Sequence, residues 1–257
     1  RSNGSLLVLP VLSAICATLA ALLVGLPGML LVIPADGKEL SGAVFVASVV
    51  VLWLAFFVAT AVSVFFQVAL LAAVFAHLDG RQVSVGTAIG LATRRLGAVL
   101  AWSALTATIG TLLRMLEERG ILGAIAATVM SIGWALASFF VVPIIAAEGI
   151  GPGAALKRSA QLFRATWGPS ARATLRVGLV YFLVLLPAFV VLGLVIVTIG
   201  HTSAVELGLM ALAVVYLVVA GIVLTALGVV VRGVLYRYAA GLPVPGVDPA
   251  ALSGALR

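Results

Sequence analysis

Acid–base catalysis and metal binding need Asp, Glu, His or Cys side chains gathered at one place, and this sequence holds few of them. Its 257 residues include eight Asp or Glu, two His and one Cys. His77 and Asp79 lie close together in the sequence, but His201 follows several long apolar runs and is predicted on the opposite side of a membrane. Cys16 lies in an apolar run and has no second cysteine to pair with. We therefore expect no catalytic residues, no metal site and no cofactor.

Two charged residues at the ends of apolar runs are the best candidates for a functional role. A charge at the centre of a membrane span costs about 2.5 to 3.5 kcal/mol, so it needs a reason to be there. Arg232 follows three valines in the last apolar run, and Glu148 closes the fourth run. The sequence predicts an intramembrane ion pair between Glu148 and Arg232 if these helices meet. The alternative is that Arg232 extends its stem to the headgroups without a partner.

The composition excludes a soluble globular protein. Hydrophobic residues make up 64% of the chain and charged residues only 9%, with a mean hydropathy of +1.32. Soluble domains are about half apolar and about a quarter charged. Apolar runs longer than the ~20 residues that cross a bilayer indicate an all-α, polytopic membrane protein. The net charge of +7 is better explained by membrane orientation and headgroup contact than by nucleic-acid binding.

Apolar runs separated by polar or glycine-containing breaks predict six transmembrane helices. They cover residues 6–33, 43–76, 97–116, 121–147, 173–199 and 204–238. The connections after the second and fourth helices are long, and 12 of the 15 Lys and Arg residues fall on their side of the membrane. Because basic connections stay in the cytoplasm, both chain termini are predicted to be cytoplasmic, in the inner membrane of a bacterium.

Each long connection contains a segment with the pattern of an amphipathic helix, at residues 84–95 and 152–167. Apolar residues recur at i, i+4, i+7 and i+11: Val85, Ile89, Ala92 and Leu96, then Leu156, Ala160, Phe163 and Trp167. This spacing is typical of a helix that lies among lipid headgroups. Residues expected to contact anionic headgroups or a partner are Arg94, Arg95, Lys157, Arg158, Arg164, Trp167 and Arg172.

The two amphipathic segments are displaced by 71 residues and belong to a longer internal repeat. The same displacement pairs Gly80 with Gly151 and Ala76 with Ala147. A truncated third copy is predicted at residues 248–252. The chain is therefore interpreted as three pseudo-repeated hairpins, each made of a surface helix, an outgoing span and a returning span.

The segment from Pro143 through Glu148, Pro152 and Ser159 to Trp167 resembles a group of bacterial, mostly uncharacterised six-helix membrane families. An actinobacterial origin is expected. The group includes the membrane domain fused to some glycerophosphodiester phosphodiesterases. The sequence lacks the soluble barrel that carries hydrolysis in those fusions, so the resemblance implies a fold and a membrane location without an activity.

The sequence favours a non-enzymatic scaffold or accessory subunit of a membrane complex. The expected partners are anionic lipids and another membrane protein or a second copy of the chain, with no nucleic acid. The alternative is a transporter or a protein that handles lipid or other apolar molecules at the interface between repeats. That alternative would use a polar seam among the spans, formed by Thr60, Ser63, Gln67, Thr106, Thr108 and Thr111.

Overall fold

The computed structural model describes residues 8–32, 42–197 and 204–244, and within some helices it describes the backbone alone. The described chain is helical and contains no strand in these ranges. Its helices are α1 (Val8–Val32), α2 (Gly42–Leu78), α3 (Val85–Thr93), α4 (Leu96–Glu117), α5 (Ile121–Ser138), α6 (Val141–Glu148), α7 (Pro152–Ala165), α8 (Trp167–Val197) and α9 (Ala204–Ala239). The third repeat copy at 248–252 lies outside the described residues.

Five segments are long and apolar enough to cross a membrane. They are Val8–Pro27, Gly42–Leu78, Leu96–Glu117, Ile121–Glu148 and Leu207–Ala239. They match five of the six predicted spans and are consistent with a multi-pass membrane protein. The remaining predicted span falls on α8, where the described apolar stretch, Gly178–Gly193, is shorter.

The fourth predicted span is two helices, because the α-helical ladder breaks between α5 and α6. Pro143 has no N–H, and its ring would clash with the carbonyl of Phe139 four residues earlier. Phe139 donates its N–H three residues back, to Leu136 O at 3.4 Å. The N–H of Phe140 leaves the ladder and donates to Ser159 Oγ at 2.9 Å. A side chain of α7 therefore satisfies the backbone group that the break releases.

Helices α3 and α7 form where the amphipathic segments were predicted, but their apolar sides face the protein. Ala88 and Ala92 of α3 are fully buried, and so are Ala155 and Ser159 of α7, while Phe163 is 5% exposed. The apolar ones among them pack with α2, α4, α6 and α9 in the main core cluster. The expectation that both apolar stripes lie in the headgroups is wrong at Ala92 and Phe163, because the bundle itself covers these two stripe residues.

Helices α2 and α9 end on the same motif. After α2, Gly80 donates to His77 O at 3.0 Å and Arg81 donates to Ala76 O at 2.9 Å. After α9, Gly241 donates to Tyr238 O at 3.1 Å and Leu242 to Arg237 O at 2.8 Å. Both glycines have positive φ, 74° and 69°, which side chains resist. The two helices therefore finish as Schellman motifs beside each other.

Candidate functional site

The ends of α2 and α9 are held together by a carboxylate that binds two arginines. Arg237 Nη1 donates to Asp79 Oδ1 at 2.7 Å, and Arg81 Nη2 donates to Asp79 Oδ2 at 3.1 Å. Arg237 also donates to the carbonyls of Pro243 at 3.1 Å and Phe75 at 3.4 Å. Its side chain is only 9% exposed, so these bonds are well shielded from water. The hydrogen bond from Arg237 is the largest cause that holds the pKa of Asp79 below its usual value of 3.8.

A second polar cluster joins α6, α7 and α9. Glu148 Oε1 accepts from Arg158 Nε at 2.6 Å and from Tyr236 Oη at 2.8 Å. The hydrogen bond to this carboxylate raises the pKa of Arg158 above its usual value. Tyr236 precedes Arg237 on α9, so consecutive residues of one helix reach both clusters. Its ring also lies 5.9 Å from that of Phe75 on α2.

The predicted ion pair between Glu148 and Arg232 does not form. The carboxylate is bound by Arg158 and Tyr236 instead. Arg232 Nε donates to Gly228 O, one turn back on its own helix, at 3.2 Å. Since Tyr236 lies one turn nearer the end of α9 than Arg232, the prediction chose the correct helix and the wrong turn.

A cavity of about 800 Å³ lies beside the Asp79 cluster. Helices α2, α3, α6 and α9 and the turn between α3 and α4 line it. The charged lining residues are Asp79, Arg81, Arg94, Arg95 and Arg237, a balance of four positive charges against one negative. The rest is mainly apolar and includes Phe75, Ala76, Val83, Leu91, Ala146 and Ala147.

Arg94 and Arg95 are the predicted contact residues that the structure places in this cavity. Neither takes part in an ion pair with any other residue that the structure describes. Arg94 is exposed at the end of α3, and Arg95 is half-buried. The guanidinium of Arg95 lies directly against Gly149, where any side chain larger than hydrogen would clash with it. Gly149 ends α6, and the partial negative charge of a helix C-terminus favours a cation there.

The predicted contact residues of α7 are divided between structure and surface. Arg158 is bound to Glu148, whereas Lys157 and Arg164 are exposed to the surroundings and do not line the basic cavity. The side chains of Trp167 and Arg172 lie outside the described residues. His201 also lies outside them.

Arg232 lines a separate recess of about 410 Å³ among α5, α8 and α9. Ser138, Tyr181 and Gly228 contribute to its wall. The hydroxyl of Tyr181 donates to Leu224 O and ties α8 to α9 beside the recess. Arg232 lies within Leu207–Ala239, a segment long and apolar enough to cross a membrane.

The predicted polar seam is divided between two places. Ser63 and Gln67 line a cavity of about 420 Å³ between α1, α2 and α9, together with Ser13, Thr18 and Thr225. Thr108 is elsewhere: it donates to Ala104 O at 2.8 Å and accepts from Trp53 Nε1 at 3.3 Å. The buried hydroxyl of Thr106 has no hydrogen-bond partner in the described chain. None of the three threonines of α4 lines the cavity that contains Gln67.

Sequence reasoning missed Ser159, Tyr236 and Arg237. Ser159 lies off the predicted apolar stripe, and its role depends on the break that Pro143 causes. Tyr236 and Arg237 lie in the last turn of α9, which the sequence marks only as a helix end. No group of three or more His, Cys, Asp or Glu able to hold a metal occurs within the described ranges.

A family model matches residues 46–243, which is most of the chain and runs from the first turns of α2 to beyond the end of α9. No curated protein and no solved structure matches the sequence. The match does not extend to an actinobacterial origin or to the phosphodiesterase fusions that the segment around Glu148 resembles. The chain belongs to DUF6159, a family of unknown function.

Proposed function

We propose that this protein is a non-enzymatic accessory subunit of a complex in a bacterial cytoplasmic membrane. The proposal includes six spans arranged as three pseudo-repeated hairpins, with both termini in the cytoplasm. It also includes a relationship to the bacterial six-helix membrane families that the segment around Glu148 resembles. The partner is a second membrane protein with an acidic residue in a transmembrane helix.

The observation that carries the proposal is the environment of Arg232. This residue lies in α9, two turns before the helix ends at Ala239. Only its Nε has a hydrogen-bond acceptor in the described part of the protein, which is Gly228 O. Its side chain lines a recess that is open among α5, α8 and α9. The other guanidinium N–H donors of Arg232 have no carboxylate partner among the described residues.

A partner helix can satisfy those donors. An arginine within a span costs about 2.5 to 3.5 kcal/mol on insertion scales, and pairing with a carboxylate offsets part of that cost. The apolar surface beside the recess suits helix packing, since α8 and α9 expose Leu179, Phe182 and Val223. Only 11% to 28% of the residues in the most apolar stretch of each span are buried within the protein. The remaining residues leave ample surface for a second protein as well as for lipid.

The repeated hairpins are supported by where the turns and buried residues lie. The buried residues Ala88 and Ala92 of α3 correspond to Ser159 and Phe163 of α7 at the predicted displacement of 71 residues. The returning helices α2, α6 and α9 each end on a glycine of positive φ, namely Gly80, Gly149 and Gly241. Three similar helix ends then meet at one side of the bundle, where both polar clusters lie.

The test is co-purification from native membranes of full-length chains that carry a C-terminal tag. Wild-type chain extracted in a mild detergent is expected to bring down one other membrane protein in a fixed ratio, measured by native mass spectrometry. Arg232→Gln is expected to lose that protein, and Arg232→Lys to retain part of it. Arg164→Gln removes an equal charge from the exposed side of α7 and serves as the matched control.

Two results would contradict the subunit proposal. One is a wild-type chain that is isolated alone or only with copies of itself. The other is a partner that Arg232→Gln retains as fully as Arg164→Gln. Monodisperse elution of each variant in size-exclusion chromatography shows that it remains folded.

A second candidate function, handling of an apolar or lipid molecule, is favoured by the cavity between α1, α2 and α9. Five polar side chains line it at residues 13, 18, 63, 67 and 225, in an otherwise apolar surround. Such a lining fits a molecule with a few hydrogen-bonding groups and a large apolar body. Under this alternative, Gln67→Leu is expected to slow lipid transfer between vesicles that contain the purified protein, whereas Arg232→Gln is not.

A further inference from the structure

The cavity beside Asp79 has more positive charge than its own side chains can balance. The one carboxylate in its lining, Asp79, is bound by Arg237 and Arg81 at 2.7 and 3.1 Å. Arg94 and Arg95 enter the lining in addition and have no acidic partner within the described chain. With four arginines against one aspartate, the cavity has a net charge of +3 at neutral pH. An anion is the ligand that this balance requires.

The cavity also has an apolar side, which limits the kind of anion. Phe75, Val83, Leu91, Ala146 and Ala147 line it together with the charged groups. Its volume of about 800 Å³ is within the ~300 to 1,000 Å³ of cavities that take small organic molecules. A bare inorganic ion would leave most of that space and all of the apolar surface unused.

We propose that this cavity is a binding site for a phosphate group attached to an apolar body, with Arg94 and Arg95 as its principal ligands. Guanidinium groups match the oxygens of a phosphate in pairs, and such charge-assisted hydrogen bonds are among the stronger ones in proteins. The phosphate can belong to a membrane lipid headgroup or to a soluble phosphate ester that enters from the cytoplasm. This site is separate from the Arg232 recess, so it does not depend on the subunit proposal.

The positions of the two arginines are fixed by the fold and are not those of loosely attached surface charges. Arg94 follows α3 and Arg95 precedes α4, so two helices meet at this pair. Ala88 and Ala92 anchor α3 in the core, and the guanidinium of Arg95 is packed on Gly149. Thr87 and Leu91, each one residue before a buried alanine of the same helix, line the cavity.

The experiment uses purified full-length protein in detergent and three probes: phosphatidylglycerol, diacylglycerol with the same acyl chains, and inorganic phosphate. Native mass spectrometry counts bound lipid, and isothermal titration calorimetry measures phosphate. The site variant is Arg94→Gln with Arg95→Gln. The control variant, Lys157→Gln with Arg164→Gln, also loses two charges, but these residues are exposed on α7 and do not line the cavity.

The wild type is expected to hold one phosphatidylglycerol per chain and to bind diacylglycerol much more weakly. The site variant is expected to bind phosphatidylglycerol about tenfold more weakly or worse, since charge-assisted hydrogen bonds are lost. The control variant is expected to stay within about twofold of the wild type, because exposed charges outside the cavity act only through screened attraction. Arg94→Gln alone, at an exposed position, is a second variant that should weaken binding about threefold without loss of fold.

The probes distinguish the two sources of phosphate. If the site variant loses phosphatidylglycerol binding and the wild type does not bind inorganic phosphate, the site is assigned to a lipid headgroup. Binding of inorganic phosphate that the site variant abolishes assigns it to a soluble phosphate. The proposal is overturned if the wild type binds neither phosphatidylglycerol nor inorganic phosphate, or if the site variant binds both of these as tightly as the wild type does. It is also overturned if the control variant loses as much affinity as the site variant.

Discussion

Helices α3 and α7 lie 71 residues apart in the sequence and bury equivalent positions, yet the buried side chains differ in size and in what they contact. In α7 the buried pair is Ser159 and Phe163, in α3 it is Ala88 and Ala92. Phe163 packs edge-on against Phe139, at a ring distance of 5.5 Å, and Ser159 binds the free N–H of Phe140. The larger side chains of α7 thus close the region where α5 and α6 meet.

The exposed sides of the two helices also differ, because polar residues are bound to the protein at α7 and line a cavity at α3. Arg158 of α7 corresponds to Thr87 of α3, and it is bound to Glu148 at 2.6 Å. Thr87 and the two arginines that follow α3 line an open cavity. The comparison shows one surface helix whose arginine is bound to a carboxylate, and another that is followed by two arginines with no acidic partner among the described residues. Unpaired charge beside a cavity is where a ligand is expected, whereas paired charge beside a packed core is structural.

The largest effect is expected from Phe163→Ala, which makes α7 resemble α3 at its most buried large position. Truncation of a buried phenylalanine costs about 3 to 5 kcal/mol, because contacts are lost and a cavity remains. Unfolding in mixed detergent and SDS micelles, followed by circular dichroism, measures the free energy of unfolding. Val85→Ala on half-buried α3 is the control and should cost about 1 kcal/mol. Equal losses at the two positions would remove the distinction between a packed and an open surface helix.

A smaller effect is expected when the serine of each helix is replaced. Ser159→Ala leaves the N–H of Phe140 buried without an acceptor, a cost of about 1 to 3 kcal/mol. Ser84 caps α3 by accepting from Thr87 N at 3.2 Å in an exposed place, and Ser84→Ala should cost about 0.5 to 1 kcal/mol. The same unfolding assay compares them. If Ser159→Ala is no worse than Ser84→Ala, water reaches the break between α5 and α6 and α7 does not seal it.

The sequence predicted the spans and the surface helices well, because hydropathy and a period of 3.6 residues are local properties of the chain. Residues 152–167 were predicted for the helix that occupies Pro152–Ala165. The break at Phe139 was missed, although Pro143 could have signalled it, because an uninterrupted apolar run reads as one span. The five segments of suitable length agree with the prediction, whereas the described apolar stretch of α8, Gly178–Gly193, is shorter than a span.

The site was less predictable because its contacts depend on how the helices are rotated against one another. The sequence identified Glu148 and α9 but paired the carboxylate with Arg232 and not with Tyr236, one turn away. Arg94 and Arg95 were selected for lipid contact from charge alone, and the structure adds that they share a cavity with Arg81 and Arg237. No local pattern reports that four helices enclose this space. The inward direction of the apolar stripes was missed for the same reason. A periodic pattern identifies the apolar face of a helix but does not say whether lipid or protein covers that face.

Asp79, beside the open cavity, is the counterpart of Glu148 in the packed cluster, and its contribution to stability should depend on acid pH. Its side chain is 38% exposed, so solvent screening limits the loss in Asp79→Asn to about 1 kcal/mol at neutral pH. Because the pKa of Asp79 is lower in the folded protein, its stabilising contribution is complete above its usual value of 3.8 and is lost as the pH falls through the lowered pKa. The difference in unfolding free energy between wild type and Asp79→Asn should therefore stay constant from pH 7 to pH 5 and shrink below 3.8. Arg81→Gln, which removes the 69% exposed partner, is the control and should change stability little. A difference that persists unchanged at the lowest pH would mean that Asp79 acts through packing and not through its charge.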